Sequence, residues 1–273
     1  MDRDEVAELL IVLLSGALIW LFGALVPTPP DAGERVAWRR LWLPALPASL
    51  PLFVLLGFAV ADPEGPQGLN VTRLIAAVPF GLVWLRAGVR AVLAVFAEVE
   101  GPALTVGLFR PTVKLSAELL AMLRPGELRA VMAHEEAHVR HCDPRWIWIV
   151  QLLTDLQWPF SRPRLRQRAW LAALELARDD EAVQDPNVDA ADLASALVKA
   201  ASLAQGRTRA GAALADDATL LEIRVRRLLS PPAPHPEGRR SFLAPFAVSL
   251  AIAAFVFGVV ASAPYVAILA GSP

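Results

Sequence analysis

Two histidines four residues apart, in His134-Glu135-Glu136-Ala137-His138, are the side chains best placed to do chemistry in this chain. At about 3.6 residues per helical turn they return to nearly the same face, one turn apart, so both imidazoles can reach a single ion. Glu135, beside the first of them, can accept a proton from a metal-bound water. This is the HExxH arrangement: zinc lowers the pKa of its water, and the glutamate serves as general base in peptide hydrolysis. A bland reading also exists, with the histidines on a solvated helix face and Glu175, Asp179, Asp180 and Glu181 as an ordinary charged stripe. Two sets of ligand-type residues in one segment favour the metal reading.

Zinc needs a third protein ligand and an open position. The chain has four histidines and one cysteine, Cys142, so neither a cysteine cluster nor an internal disulfide can be built. His141 shares a face with His134 but lies about 10.5 Å along the axis from it, at the limit of what two imidazoles can straddle. No glycine follows to turn the chain back, as the three-histidine version requires. His235 sits in a Pro-rich linker. The better candidate is Glu175, in Glu175-Leu176-Ala177-Arg178-Asp179. Asp179, one turn later on the same face, is a candidate to orient a metal-bound histidine. A donor for the oxyanion is also expected; Arg178, His141 and the arginines between Arg162 and Arg168 are candidates without geometry. The only tyrosine, Tyr265, falls far from them near the end of the chain.

What must position these residues is unusually apolar. Of 273 residues, 55% are hydrophobic and 19% charged, and mean hydropathy is +0.46. That is too apolar for an ordinary soluble domain, and the net charge of −1 gives no global field for nucleic acid. Four stretches approach the roughly 20 apolar residues that a spanning helix needs. They cover roughly residues 6–26, 41–61, 74–96 and 242–269. The first is too long, and begins too acidic, for a signal peptide. The third carries Arg86 and Arg90, so its membrane part is expected to end near Leu85, with an amphipathic continuation.

Arginine placement predicts orientation. Arg35, Arg39 and Arg40 lie between the first two stretches, and Arg86 and Arg90 end the third. Arg224, Arg226, Arg227, Arg239 and Arg240 precede the fourth. The expected layout has the N-terminus outside and the central segment in the cytoplasm. The organisation is then residues 1–98 with three transmembrane helices, 99–240 as a cytoplasmic metallopeptidase domain, and 241–273 as the fourth helix. The fold class is mainly α, a multi-pass membrane protein with a zincin-like domain containing a small β element.

Within the central segment, residues 103–108 and 112–115 read as two short strands. Ser116 caps a helix over 117–123 that Pro125-Gly126 stops. The next helix, 127–141, carries the histidines. Asp143-Pro144 opens another helix to about Gln157, and Trp158-Pro159-Phe160 breaks it. Helices over about 162–183, 190–203 and 218–229 follow, then a Pro-rich linker.

At this level the chain resembles the BlaR/MecR family of membrane metallopeptidases and, more distantly, the HtpX-like ones. Val106 to Leu115 looks like the family's strand segment before the zinc helix. His134 to Asp143 is similar to its HExxHxxxxD signature, and Glu175-x-x-x-Asp179 followed by Asp180-Glu181-Ala182-Val183 to its third-ligand motif. Leu221 to Leu229 looks like the segment before the last span. The resemblance implies Zn2+ held by His134, His138 and Glu175, with Glu135 as base. It also implies four spans in a bacterial cytoplasmic membrane, with the active site cytoplasmic. A membrane-bound zinc endopeptidase in regulated signalling proteolysis would take a protein or peptide substrate, such as a transcriptional repressor, and would not itself bind nucleic acid. The antibiotic-sensing receptors carry a penicillin-binding sensor domain after the last span. Here only Gly271-Ser272-Pro273 follow, so β-lactam sensing through such a domain is not expected. Two other readings stand beside this one: an HtpX-like quality-control protease, and a non-catalytic membrane signalling scaffold. Cys142 reads as a structural residue rather than a ligand.

Overall fold

The computed structural model describes residues 33–42, 52, 55–56, 71–97, 101–207 and 211–230. The first and fourth apolar stretches, most of the second, His235 and Tyr265 lie outside the described residues. The described chain is mainly helical with one small sheet. It divides into two compact units. One takes the residues up to Val92 together with Val150–Gln167, and the other takes Leu93–Ile149 with the residues from Arg168 onward.

In the first unit, helix α1 spans Glu34–Trp42 and helix α2 spans Val71–Phe96. Within α2, Leu74–Phe96 is long and apolar enough to cross a membrane. Val71, Ile75, Val78, Leu82, Leu85, Val89, Val92 and Phe96 recur at three- and four-residue steps along it, and all are exposed. Such spacing makes one continuous apolar stripe. The other side packs Ala77 against Leu52 and Leu55. Arg86 and Arg90, which complicate a lipid reading of this helix, both pair with the buried Asp155. The helix runs on without a break past Leu85 to Phe96.

The second unit begins with an antiparallel pair, β1 (Ala103–Val106) and β2 (Thr112–Leu115), in the register Ala103↔Leu115 and Val106↔Thr112. The expected first strand is two residues too long. Gly107 has φ +106°, a left-handed conformation that ends the strand and that glycine tolerates. Ser116 caps α3 (Ala117–Met122) by accepting from the Leu119 N–H at 3.2 Å.

Helix α4 (Pro125–Arg140) carries the histidines. It starts two residues earlier than expected, because Pro125 opens this helix rather than merely closing the one before. Its missing N–H and fixed φ suit a first turn. Glu127, Ala130, Val131, His134, Glu135, Ala137 and His138 are its buried residues, one face at steps of three and four. Helices α5 (Asp143–Asp155), α6 (Arg162–Ala182), α7 (Ala190–Arg207) and α8 (Gly211–Leu229) follow, with the end of α5 from Val150 and the start of α6 to Gln167 belonging to the first unit. Both α7 and α8 are longer than the sequence pattern suggests. Ala130 of α4, Ala182 of α6, Leu193 and Ala194 of α7 and Leu228 of α8 form one buried cluster. Small residues at the crossings let the helices approach closely, and at Gly126 even a Cβ would collide with the Asp192 carboxylate.

One charged group anchors the start of α4. Glu127 is fully buried, yet it accepts from the Arg124 N–H (2.7 Å), Arg124 Nη2 (3.0 Å), Ser195 Oγ (2.7 Å) and Lys199 Nζ (2.6 Å). Burial works against its ionisation, but these donors hold its pKa well below the usual carboxylate range. The bonds join α4 to α7 and fix the rotation of the helix that carries the site.

Candidate metal centre

The buried face of α4 turns His134 and His138 toward Glu175 of α6. One donor atom from each can be chosen so that all lie within 4.8 Å of one another. The two Nε2 atoms are 3.1 Å apart. His134 Nε2 is 3.5 Å from Glu175 Oε2, and His138 Nε2 is 3.7 Å from Glu175 Oε1. Tetrahedral zinc, with bonds of about 2.0–2.1 Å to N and O, would space its donors by about 3.3–3.4 Å. The observed separations bracket that value.

What lies behind the rings points the same way. His138 Nδ1 is 2.8 Å from Asp143 Oδ2, with the carboxylate fully buried. The carboxylate makes Nδ1 the protonated nitrogen and leaves the Nε2 lone pair facing inward. His134 Nδ1 lies 3.0 Å from Asp179 Oδ1, a close charge contact rather than a well-aligned hydrogen bond. Two Nε2 lone pairs meeting at 3.1 Å repel unless a cation stands between them. A proton or a metal ion meets that need, and the set Nε2, Nε2 and carboxylate suits a divalent transition metal. Burial disfavours a charged His134, but the Asp179 and Glu175 contacts outweigh it and raise its pKa to about 9.

Asp143 reaches His138 because of a two-residue connection. The α4 helix ends at Arg140, Cys142 has φ +52°, and α5 begins at once at Asp143. A non-glycine residue in the left-handed region is uncommon. Here it turns the chain sharply enough to bring the first carboxylate of α5 beneath the second histidine of α4. Cys142 thus serves the turn. Asp143 is held in turn by Arg178 through bonds of 2.6 and 3.1 Å. That buried fork occupies Arg178, which sequence alone left as a candidate oxyanion donor.

Glu135 is buried beside the histidines. Thr105 Oγ1 of β1 lies 2.8 Å from Glu135 Oε2 and 3.1 Å from its backbone oxygen. The small sheet therefore reaches the site through a hydroxyl that fixes one carboxylate oxygen and leaves the other for a proton. His141 points elsewhere: its Nε2 is 2.8 Å from Glu181 Oε2, in a cluster with Arg140 on the unit's exterior. It takes no part in the donor set. His235 is outside the described residues.

The residue that sequence reasoning missed most completely is Arg224 of α8. Its Nε and Nη2 each donate to Asp179 at 2.7 Å, and Nη1 lies 3.0 Å from Glu175 Oε2. Against the cost of burial, its charge holds Glu175 well below the usual carboxylate range and, chiefly through hydrogen bonding, depresses Asp179 too. No spacing rule links it to the histidines, the first of which precedes it by 90 residues.

A cavity of about 270 Å³ opens on this set, with Thr105, His134, Glu135, His138, Glu175 and Arg224 among its lining. Most of its wall is apolar, from Leu119, Val131, Leu193 and Leu197. The arrangement has two imidazoles and a carboxylate converging on a point, a second carboxylate poised beside them, and an apolar recess. Residues 88–228, just over half of the chain, match the family model described as BlaR1 peptidase M56. Neither the curated proteins nor the solved structures contain a match.

Proposed function

Because the chain belongs to the BlaR1 peptidase M56 family, we propose that it is a membrane-bound zinc endopeptidase whose site is His134, His138, Glu175 and Glu135. The observation that carries this reading is the convergence of three donor atoms at near-tetrahedral spacing, with a carboxylate behind each imidazole. Zinc is the metal that such a donor set with an open position best suits, and once bound it supplies an acidified water and a polarised carbonyl.

The rest falls to the chain's own side chains. Glu135 is 7% exposed and anchored at one oxygen by Thr105. Its other oxygen takes the proton of the attacking water and passes it to the leaving amine nitrogen. Asp143 and Asp179 keep the imidazoles turned with Nε2 inward. The apolar wall seats an uncharged stretch of the substrate and excludes water, which strengthens each charge contact in the recess.

The membrane reading is supported by the exposed apolar stripe of α2 and the length of Leu74–Phe96. The four-span layout with the site in the cytoplasm rests on hydropathy and arginine placement. A cytoplasmic substrate, a repressor or another regulator, follows from that layout.

Full-length protein in detergent tests the proposal by metal content and by cleavage of fluorescent casein. Wild type should carry one zinc per chain, and Glu175→Ala should lose it. Glu135→Gln should keep the metal and lose about 10²–10⁴ in kcat. A Glu135→Gln protein cleaving at the normal rate would sink the mechanism.

A further inference from the structure

Three arginines of the second unit each hold an aspartate by two bonds: Arg178 on Asp143, Arg227 on Asp180 and Arg224 on Asp179. Only Arg224 also lines the cavity. Docking α8 on α6 does not require this, since Arg227 and Asp180 already join the same two helices. Arg224 reaches further. Past Asp179, its Nη1 comes to 3.0 Å from Glu175 Oε2 and its Nη2 to 3.4 Å from His134 Nε2. Its guanidinium therefore lies against two of the three candidate metal donors.

A guanidinium carries five N–H groups in a rigid fork. Two are committed to Asp179, and one Nη1 proton faces Glu175. The second Nη1 proton has no acceptor in this set. The side chain is 12% exposed, so that donor is largely sheltered from water, where a hydrogen bond to an anion counts for more. The Asp179 fork also fixes the guanidinium plane in advance, so little reorganisation remains when a substrate arrives.

We propose that Arg224 is the donor that stabilises the oxyanion of the scissile carbonyl. This rests on the peptidase reading and supplies the group that reading lacks. Water oxygen attacks the carbonyl carbon as Glu135 takes its proton. The carbonyl π pair moves onto the carbonyl oxygen, which accepts a hydrogen bond from Arg224 Nη1–H. The pair then returns, the C–N bond breaks, and Glu135 gives its proton to the amine nitrogen. The products are a carboxylic acid and an amine, with Arg224 protonated throughout.

The test uses full-length, zinc-loaded protein in detergent, as wild type, R224K, R224A and R227A. Three quantities are read: zinc per chain, kcat and KM on casein, and affinity for a phosphinic peptide with leucine on each side of the phosphinate. The phosphinate carries the charge that the transition state develops. Lysine at this position keeps a positive charge against Asp179 but has no fork left to turn into the cavity. The expected result for R224K is one zinc per chain, KM within about threefold of wild type, and kcat lower by about 10²–10³. Its phosphinate affinity should fall by a similar factor, and R227A should match wild type throughout. R224A should follow R224K where it folds, and where it does not, R224K decides. Wild-type phosphinate affinity in R224K overturns the proposal. So does loss of zinc in R224K, because the residue would then serve the metal site's structure alone. A wild type without metal or activity would instead remove the peptidase reading, a result distinct from active Arg224 variants beside an active wild type.

Discussion

Two aspartates in this protein look alike by burial and differ in everything their arginines do. Asp143 is fully buried and held by Arg178, which is itself only 3% exposed. Asp155 is 2% exposed, but its partners Arg86 and Arg90 remain 30% and 50% exposed. In the first pair both charges have left water, and Asp143 also bonds His138 Nδ1. In the second, Asp155 accepts from Arg90 Nε at 2.9 Å and from Gln151 Nε2 at 2.8 Å, and Gln151 accepts from Gln167. Among the described residues, no imidazole stands beyond it. Burial of a carboxylate does not mark a working site. What marks one is that its hydrogen bonds point on to groups whose own lone pairs converge on open space.

The largest effect is expected at the fully buried aspartate. Asp143→Asn keeps the shape, strands the Arg178 charge and leaves only an uncharged amide oxygen to fix the His138 tautomer. Zinc affinity should fall roughly 10–100-fold, and stability by about 3–5 kcal/mol, the usual cost of leaving a buried charge without its partner. Competition with a fluorescent chelator and chemical denaturation would read the two effects. Unchanged zinc affinity would remove Asp143 from the site.

Asp143 also shows what the sequence could and could not convey. His134, Glu135 and His138 are legible because one helix carries them, and helical spacing alone sets their geometry. Glu175 and Asp179 are legible for the same reason, as a pair one turn apart. Asp143 was visible as the last letter of HExxHxxxxD, but its role depends on Cys142 taking a left-handed turn, which no propensity for cysteine suggests. Arg224 lies 45 residues from Asp179 and 90 from His134, and Thr105 lies 30 from Glu135, so only packing brings them in. Strand ends and the start of α4 shifted by two residues where Gly107 and Pro125 dictate the backbone. The long apolar helix was plain from composition, whereas the pairing of its two arginines with Asp155 was not.

Glu127 offers a milder perturbation of the same unit, because it is buried among several donors and bonds none of the candidate metal donors. Glu127→Gln should cost about 2 kcal/mol, the order of one hydrogen bond to a charged group. The pH dependence has a definite sign. A folded pKa lowered from 4.5 stabilises the fold above 4.5, and that stability is lost as pH falls below it. Wild type should therefore lose stability between pH 5 and more acid conditions faster than Glu127→Gln does, to about one proton's worth of slope. Parallel unfolding curves across that range would show that Glu127 contributes nothing by its charge.

Thr105 separates positioning from metal binding. Thr105→Val removes the hydroxyl at nearly constant volume and releases one oxygen of Glu135. The expected loss is about 1 kcal/mol of transition-state stabilisation, or roughly fivefold in kcat. Zinc content should not change, and Thr105→Ser should restore most of the rate. A Thr105→Val protein that lost its metal would mean that the sheet supports the donor set rather than the base.

The smallest effect is expected at Asp155→Asn. The change is chemically identical to Asp143→Asn, but of the stranded arginines Arg90 is already half in solvent and Arg86 is 30% exposed. Arg90 can turn its head outward, and Arg86, whose guanidinium lies 5.4 Å over the Trp158 ring, keeps that contact. Both short hydrogen bonds end on Oδ2, so an asparagine oxygen placed there can still accept them, and only the longer 3.5 Å Arg86 contact to Oδ1 is lost. The cost in detergent should therefore be about 1 kcal/mol or less, in the range of partly exposed ion pairs. Zinc content and casein kcat should match wild type. A loss of zinc in Asp155→Asn would mean that α5, which begins at the histidine's carboxylate and ends at Asp155, transmits strain along its length. The distinction between an open and a closed ionic cluster would then fail for this protein.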